Sequence, residues 1–136
     1  MSYAVAAALQ QAIYRRLIED GEVRALVEDA IFDAVPSGSV PSLYVSLGPE
    51  EVRDSSDKTG HGATHDFTVS VVTDRPGFHE AKQVAGAVSD ALLRGGFALE
   101  RGRLVSLHFV RARAGRLKEA TQRRIDLRFR ARVEDH

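Results

Sequence analysis

From Arg124 to Val133 the chain reads Arg-Ile-Asp-Leu-Arg-Phe-Arg-Ala-Arg-Val, polar and apolar residues in unbroken alternation. A strand turns successive side chains to opposite faces, so Ile125, Leu127, Phe129, Ala131 and Val133 line one face while Arg124, Asp126, Arg128, Arg130 and Arg132 line the other. One face needs a core and the other needs water, acid or a partner. That pattern calls for a one-sided antiparallel sheet with helices laid across its apolar face.

The rest of the chain supplies the parts. Val5, Leu9, Ile13 and Leu17, widened by Ala6, Ala12 and Tyr14, predict a core-facing helix over about Tyr3 to Glu19, with Ser2 as its N-cap and Gly21 just past its end. A short helical piece, Glu22 to Val27, leads to Ala30-Ile31-Phe32, which reads as a short edge strand. Two prolines and a glycine make Pro36 to Pro41 a loop. Leu43, Val45 and Leu47 then share a strand face, and the strand continues to Asp54 past a bend or bulge at Gly48-Pro49.

A polar, glycine-rich stretch, Ser55 to Ala63, separates this strand from the next, Thr64 to Thr73, whose inward residues are Phe67, Val69 and Val71. The second long helix runs from Phe78 to Arg94 and stops at Gly95-Gly96. Strand Arg103 to Ala114, with Val105, Leu107 and Phe109 inward, and the arginine strand complete the order. The expected fold is a single α+β domain over residues 1–136: a four-stranded, mainly antiparallel sheet with the two long helices on one face.

Composition narrows the function. A chain of 136 residues with 43% hydrophobic and 28% charged residues is ordinary globular protein, and with no cysteine it has no disulfide, thiolate nucleophile or cysteine-bound metal. The N-terminal apolar run has no basic segment ahead of it and is soon broken by Gln10 and Gln11, so it reads as neither signal peptide nor membrane span. The net charge of zero conceals a split. Residues 1–100 carry 8 Lys/Arg against 15 Asp/Glu, a net of −7, and residues 101–136 carry 11 against 4, a net of +7. Opposite, equal patches suit head-to-tail self-association or a nucleic-acid surface.

Catalytic signatures are missing: no phosphate-binding glycine loop, no nucleophile elbow and no His-Glu-x-x-His. His61 and His65, with Asp57 and Asp66 nearby, are the one constellation that resembles a zinc or manganese site. Gly60 and Gly62 make a helix improbable there, and a loop fixes ligands poorly, so the bland reading prevails and no metal or cofactor is expected. His79 and His108 have no nucleophile or partner at readable spacing.

Arg124, Arg128, Arg130 and Arg132 on one face, with Arg111 and Arg113 on the neighbouring strand, admit three readings. A solvated face is costly, because like charges at i, i+2 and i+4 repel. A phosphate track on DNA or RNA is possible, but no exposed aromatic on the last strand stands ready to stack a base. The reading favoured is a protein interface, in which these arginines meet Glu50, Glu51, Asp54 or Asp57 of another copy.

Several segments, taken in order and spacing, carry a family resemblance. They are Met1-Ser2-Tyr3-Ala4 opening an alanine-rich helix, Ile31-Phe32-Asp33-Ala34-Val35-Pro36, Pro41-Ser42-Leu43-Tyr44-Val45-Ser46-Leu47-Gly48-Pro49-Glu50, His65-Asp66-Phe67-Thr68-Val69, Glu80-Ala81-Lys82, Leu104-Val105-Ser106-Leu107-His108-Phe109 and Leu127-Arg128-Phe129-Arg130. Together, over nearly the whole chain, they resemble the small tail-completion proteins of long-tailed phages. Tyr44 to Glu51 is especially similar to the relatives encoded by alphaproteobacterial gene transfer agents.

The resemblance implies a tail terminator made in the bacterial cytoplasm: a non-enzymatic virion protein forming a hexameric ring on the head-proximal end of the tail tube. Its implied partners are further copies of itself, the tail tube protein, a head-side connector or stopper, and DNA passing through the channel without sequence-specific binding. The alternative is a sequence-independent nucleic-acid-binding module using the basic face of the last strand. Within the implied ring, Asp57, Lys58, Thr59, Gly60, His61 and Gly62 are the best candidates for a loop ordered by assembly.

Overall fold

The structure, a computed structural model, describes residues 3–56, 60–117 and 121–135. A 3-10 turn, Tyr3–Val5, runs into helix α1, Ala6–Glu19, which buries Leu9, Ile13 and Leu17 at the expected spacing of four. The predicted cap Ser2 lies outside the described residues. Gly21 does not end α1; it opens helix α2, Gly21–Val27. Asp20 makes the corner instead. Its extended backbone breaks the helix, and its carboxylate accepts the Val23 N–H at 3.0 Å and Arg94 Nη2 at 2.9 Å. A side-chain cap with a charged partner decides this turn, so no left-handed glycine is required.

Five strands follow: β1 Ile31–Phe32, β2 Leu43–Asp54, β3 His61–Thr73, β4 Arg103–Arg116 and β5 Arg123–Asp135, with helix α3, His79–Leu93, between β3 and β4. Their order in the sheet is β1-β2-β3-β5-β4. The expected four-stranded sheet is therefore corrected to five strands, and three helices accompany it. The added strand is the short Ile31–Phe32 edge, which runs parallel to β2 through Val45 and Ser46. The sequence reads this segment as a short edge strand but leaves it out of the sheet, because two residues carry no alternation that would show which strand they join.

The other pairings are antiparallel. β2 slips register between Leu47 and Glu50, at the Gly48-Pro49 bend. β3 and β5 pair along their whole length, from His61 opposite Asp135 to Thr73 opposite Arg123, and this ladder is the spine of the molecule. Phe67, Phe129 and Phe109 stand in one cross-strand row on β3, β5 and β4. The Phe129 ring stacks on Phe67 at 5.6 Å and meets Phe109 edge-on at 5.9 Å.

Helix α3 buries Ala81, Val84, Ala85, Val88, Ala91 and Leu92 and touches β3, β4 and β5. Gly95 and Gly96, both at positive φ, stop it. Arg16 on α1 donates to the terminal carbonyls of Ala91 at 2.8 Å and Gly95 at 2.7 Å, and lies 4.0 Å over the Phe97 ring, so α1 and α3 lock end to end. Gly102, at φ 74°, starts β4 so close to its neighbour that a Cβ there would stand 2.5 Å from the Glu134 carbonyl oxygen.

Candidate functional site: the arginine face and the open edge

Registers place the side chains of the polar face row by row. On β5 they are Arg124, Asp126, Arg128, Arg130 and Arg132; opposite them β3 sets Val72, Ser70, Thr68, Asp66 and Thr64, and β4 sets Gly115, Arg113, Arg111, His108 and Ser106. The four arginines of β5 predicted to share a face do so, and the register slip between Phe109 and Arg111 turns Arg111 and Arg113 onto that face beside them. Glu51 and Arg53 of β2 join them, opposite Asp66 and Thr64.

Part of this charge is neutralised inside the chain. Asp66, buried on β3, accepts Arg130 Nε at 2.8 Å and Nη2 at 3.3 Å, with Arg53 at 3.5 Å. The Arg130 hydrogen bonds, helped by the charges of Arg130, Arg53 and Arg128, hold the Asp66 carboxyl below its usual range against the cost of burial. Asp126 accepts Ser70 Oγ at 2.6 Å and Arg124 Nε at 2.7 Å. Burial works against its ionisation, yet those bonds and the charges of Arg124 and Arg113 win, and its pKa is also lowered. Arg132 donates to the Ser55 carbonyl at 3.3 Å.

Three arginines remain without such a partner. Arg111, Arg113 and Arg128 make no side-chain hydrogen bond or salt bridge among the described residues, although Asp126 and Asp66 act on Arg113 and Arg128 through space. Arg111 and Arg128 are direct cross-strand neighbours, the arrangement in which like charges destabilise a sheet. With Arg124, Asp126, Thr68 and Pro49 they line a groove of about 220 Å³. Guanidinium groups with no acceptor among the described residues have N–H donors that a carboxylate or a phosphate could take in pairs.

Edge strand β4 carries the second feature. Every residue from His108 to Arg116 is exposed, Phe109 at 45% and Val110 at 38%. Among the described residues no helix covers this half of the strand and no strand pairs with its outer edge.

The acidic candidates separate. Glu51 stays on the arginine face, whereas Glu50, Val52 and Asp54 share the helix-side face with Ala63, His65 and Phe67. The bulge at Gly48-Pro49 sets this parity. Glu50 Oε2 lies 3.4 Å from Nδ1 of fully buried His65, whose Nε2 finds no hydrogen-bond partner among the described residues. Ser56 Oγ donates to Asp54 at 2.6 Å and draws its pKa down.

The expected assembly loop is shorter than predicted. His61 and Gly62 belong to β3, paired with Asp135 and Glu134, because the Ser55 N–H to Gly62 carbonyl bond, 2.9 Å, and the β5 ladder outweigh glycine's preference for turns. Gly60 lies between the strands; Asp57, Lys58 and Thr59 lie outside the described residues. His61 and His65 stand four strand residues apart, roughly 13 Å, too far to share one ion, and Asp66 points to the opposite face. Among the described residues no three His, Asp or Glu side chains converge on a metal position.

A family model described as tail completion protein gp17 matches residues 11–134. The chain belongs to this family. A search of curated proteins finds no match. Among solved structures, a chain from the virion of a native gene transfer agent (GTA) particle superposes with a TM-score of 0.92 at 59% identity, covering 98% of this chain and 99% of that one. The resemblance drawn from the segments above is thus borne out. Among the described residues of this tail completion protein, no helix is long and apolar enough to cross a membrane.

Acid should loosen the protein's polar face. The lowered folded-state pKa of Asp66 means that its contribution is complete above the unfolded value, about pH 3.9, and is lost as pH falls through the folded value. Asp66→Asn should cost about 1.5–3 kcal/mol at pH 7. The same substitution should flatten the fall in stability below about pH 4, as read by urea unfolding at pH 7 and pH 3.

Proposed function

We propose that this tail completion protein is a tail terminator of a gene transfer agent or phage particle. Six copies close into a ring on the head-proximal end of the tail tube, stop tube growth, and present the surface on which the DNA-filled head docks. Further copies of itself, the tail tube protein and a head-side connector are its partners. The observation that carries this reading is the unbalanced arginine groove beside an uncovered edge strand, in a chain of this family. Such a surface leaves the isolated chain with charge and apolar area that assembly can satisfy.

A ring needs a heterologous interface, one patch meeting a different patch of the next copy, and a basic C-terminal strand pair against an acidic remainder fits that need. In this reading Arg111, Arg113, Arg124, Arg128, Arg130 and Arg132 serve the contact between copies or the channel wall. Glu50, Glu51 and Asp54 supply the opposing charge, and residues 57–62 contact the tube. The role is structural, with no reaction.

The groove also favours a second reading, contact with DNA phosphates independent of sequence. DNA binding by the isolated protein with a steep fall in affinity as salt rises would support it. Electron microscopy of particles from cells lacking the gene tests the main reading. Over-long tails, or tails and filled heads that fail to join, are the expected result; normal joined particles would overturn it.

A further inference from the structure

The sheet has two open edges, and they are complementary. On one side β4 has no strand on its outer edge among the described residues, and it is exposed from His108 to Arg116. Register slips between Leu104 and Ser106 and between Phe109 and Arg111 interrupt it, so its longest regular run is Arg111 to Arg116. That run carries Arg111, Arg113 and Arg116 and no acid. On the other side β1 covers β2 only at Val45 and Ser46. Beyond the Leu47/Glu50 slip, the regular run Glu50 to Asp54 has β3 on its inner side and no strand on its outer side among the described residues. That run carries Glu50, Glu51 and Asp54 against Arg53 alone.

We propose that copies of this chain join by strand addition, the Arg111–Arg116 edge of β4 in one copy pairing with the Glu50–Asp54 edge of β2 in the next. The occupant of the open edge is thus a second copy. This contact rests on the ring reading above and specifies how neighbouring copies meet.

Three observations support it. Two unpaired runs of similar length exist at opposite ends of one sheet, each offering backbone N–H and C=O groups with no strand to take them. Their charges are opposite. Strand directions also agree: the three antiparallel steps from β2 through β3 and β5 make β4 antiparallel to β2. In a ring whose axis runs along the strands, rotation keeps each strand's sense, so β4 of one copy meets β2 of the next in antiparallel order. The added strand would bring Glu51 onto the arginine face beside Arg111 and Arg113, and would cover part of the exposed Phe109 and Val110.

The chain contains no cysteine, which makes the contact testable by disulfide trapping. Ala112 and Ala114 of β4 share the helix-side face with Val52 of β2, and opposed positions in a strand pair lie within disulfide reach. Particles would be prepared from cells carrying Ala112→Cys with Val52→Cys, or Ala114→Cys with Val52→Cys, in place of the native gene, oxidised, and run on non-reducing gels. A ladder in multiples of 14.9 kDa that needs both cysteines is expected from at least one pair. Joined particles of normal tail length with no ladder from either pair would overturn strand addition while leaving the terminator reading intact. Failure of the terminator reading shows separately, as normal particles from cells without the gene.

Discussion

Arg128→Glu should stabilise the isolated chain and abolish its work. Arg128 stands directly across the strand pair from Arg111, with Arg113 and Arg124 in the same groove, and neither Arg111 nor Arg128 has a hydrogen-bonded acid among the described residues. A carboxylate at position 128 converts the repulsive pair with Arg111 into an attractive one, a gain of a few tenths to about 1 kcal/mol that the lost support of Arg128 for the Asp66 carboxylate reduces without cancelling. It also removes the surplus charge that an acidic neighbour or a phosphate would meet. The expected outcome is a slightly higher urea midpoint for the purified protein, together with a loss of joined particles of at least tenfold in cells carrying the variant. A lower midpoint would mean that the groove is already satisfied within the monomer. Normal particle yield would remove the arginines from assembly. The opposed signs matter, because a merely structural arginine would lower both readouts, and sites that hold unfavourable charge in the free protein hold it for a partner.

Phe129→Ala should come close to unfolding the protein. Phe129 is fully buried at the middle of β5, between Phe67 and Phe109 in the cross-strand row. Truncation removes the transfer free energy of the ring, opens a cavity between two paired strands that cannot close on it, and breaks two ring contacts, for about 3–5 kcal/mol. Against a typical stability of about 5–15 kcal/mol, that is a large share of the total. Phe109→Ala, on the exposed end of the same row, should cost about 1 kcal/mol or less, since its ring is 45% exposed. Thermal or urea unfolding of the two variants separates them. Near-equal losses would show that the outer ring is as firmly held as the central one.

The contrast between these residues marks the limit of legibility in the chain. Phe67, Phe109 and Phe129 all occupy inward positions by the period of two, and all three do lie on the helix-side face. Alternation reports the face on which a side chain stands, not whether anything is packed there. Helix α3 reaches the centre of the sheet, and the second half of β4 runs beyond its cover, so one phenylalanine is core and another is surface. The same reasoning applies to the arginines. The common face of Arg124, Arg128, Arg130 and Arg132 was legible from parity, whereas Arg111 and Arg113, of the same parity as inward Phe109, reach that face only through the slip after Phe109. Which of them are matched depended on Asp66 arriving from β3, 64 residues away from Arg130 in sequence, and on Ser70 orienting Asp126.

Other departures are also local matters settled at long range. Gly21 reads as a helix stop, but Asp20 performs that task because Arg94 approaches it from the end of α3. His61 and Gly62 read as loop, but the length of β5 extends the ladder over them. Glu50 reads, like Glu51, as an acid for the arginines of another copy. The bulge at Gly48-Pro49 turns it toward buried His65, while Glu51 faces the arginines.

By itself, then, the sequence determined the periodic elements, the apolar and basic sides of the sheet and the family, because periods of two and of about four, and the order of short segments, are properties of neighbouring residues. Tertiary structure alone decided the strand order β1-β2-β3-β5-β4, the carboxylates that neutralise Arg124 and Arg130, the arginines left over and the two edges left open. Those are relations between residues far apart in the chain, set by which strands lie side by side and how far each helix reaches, and no local pattern carries them.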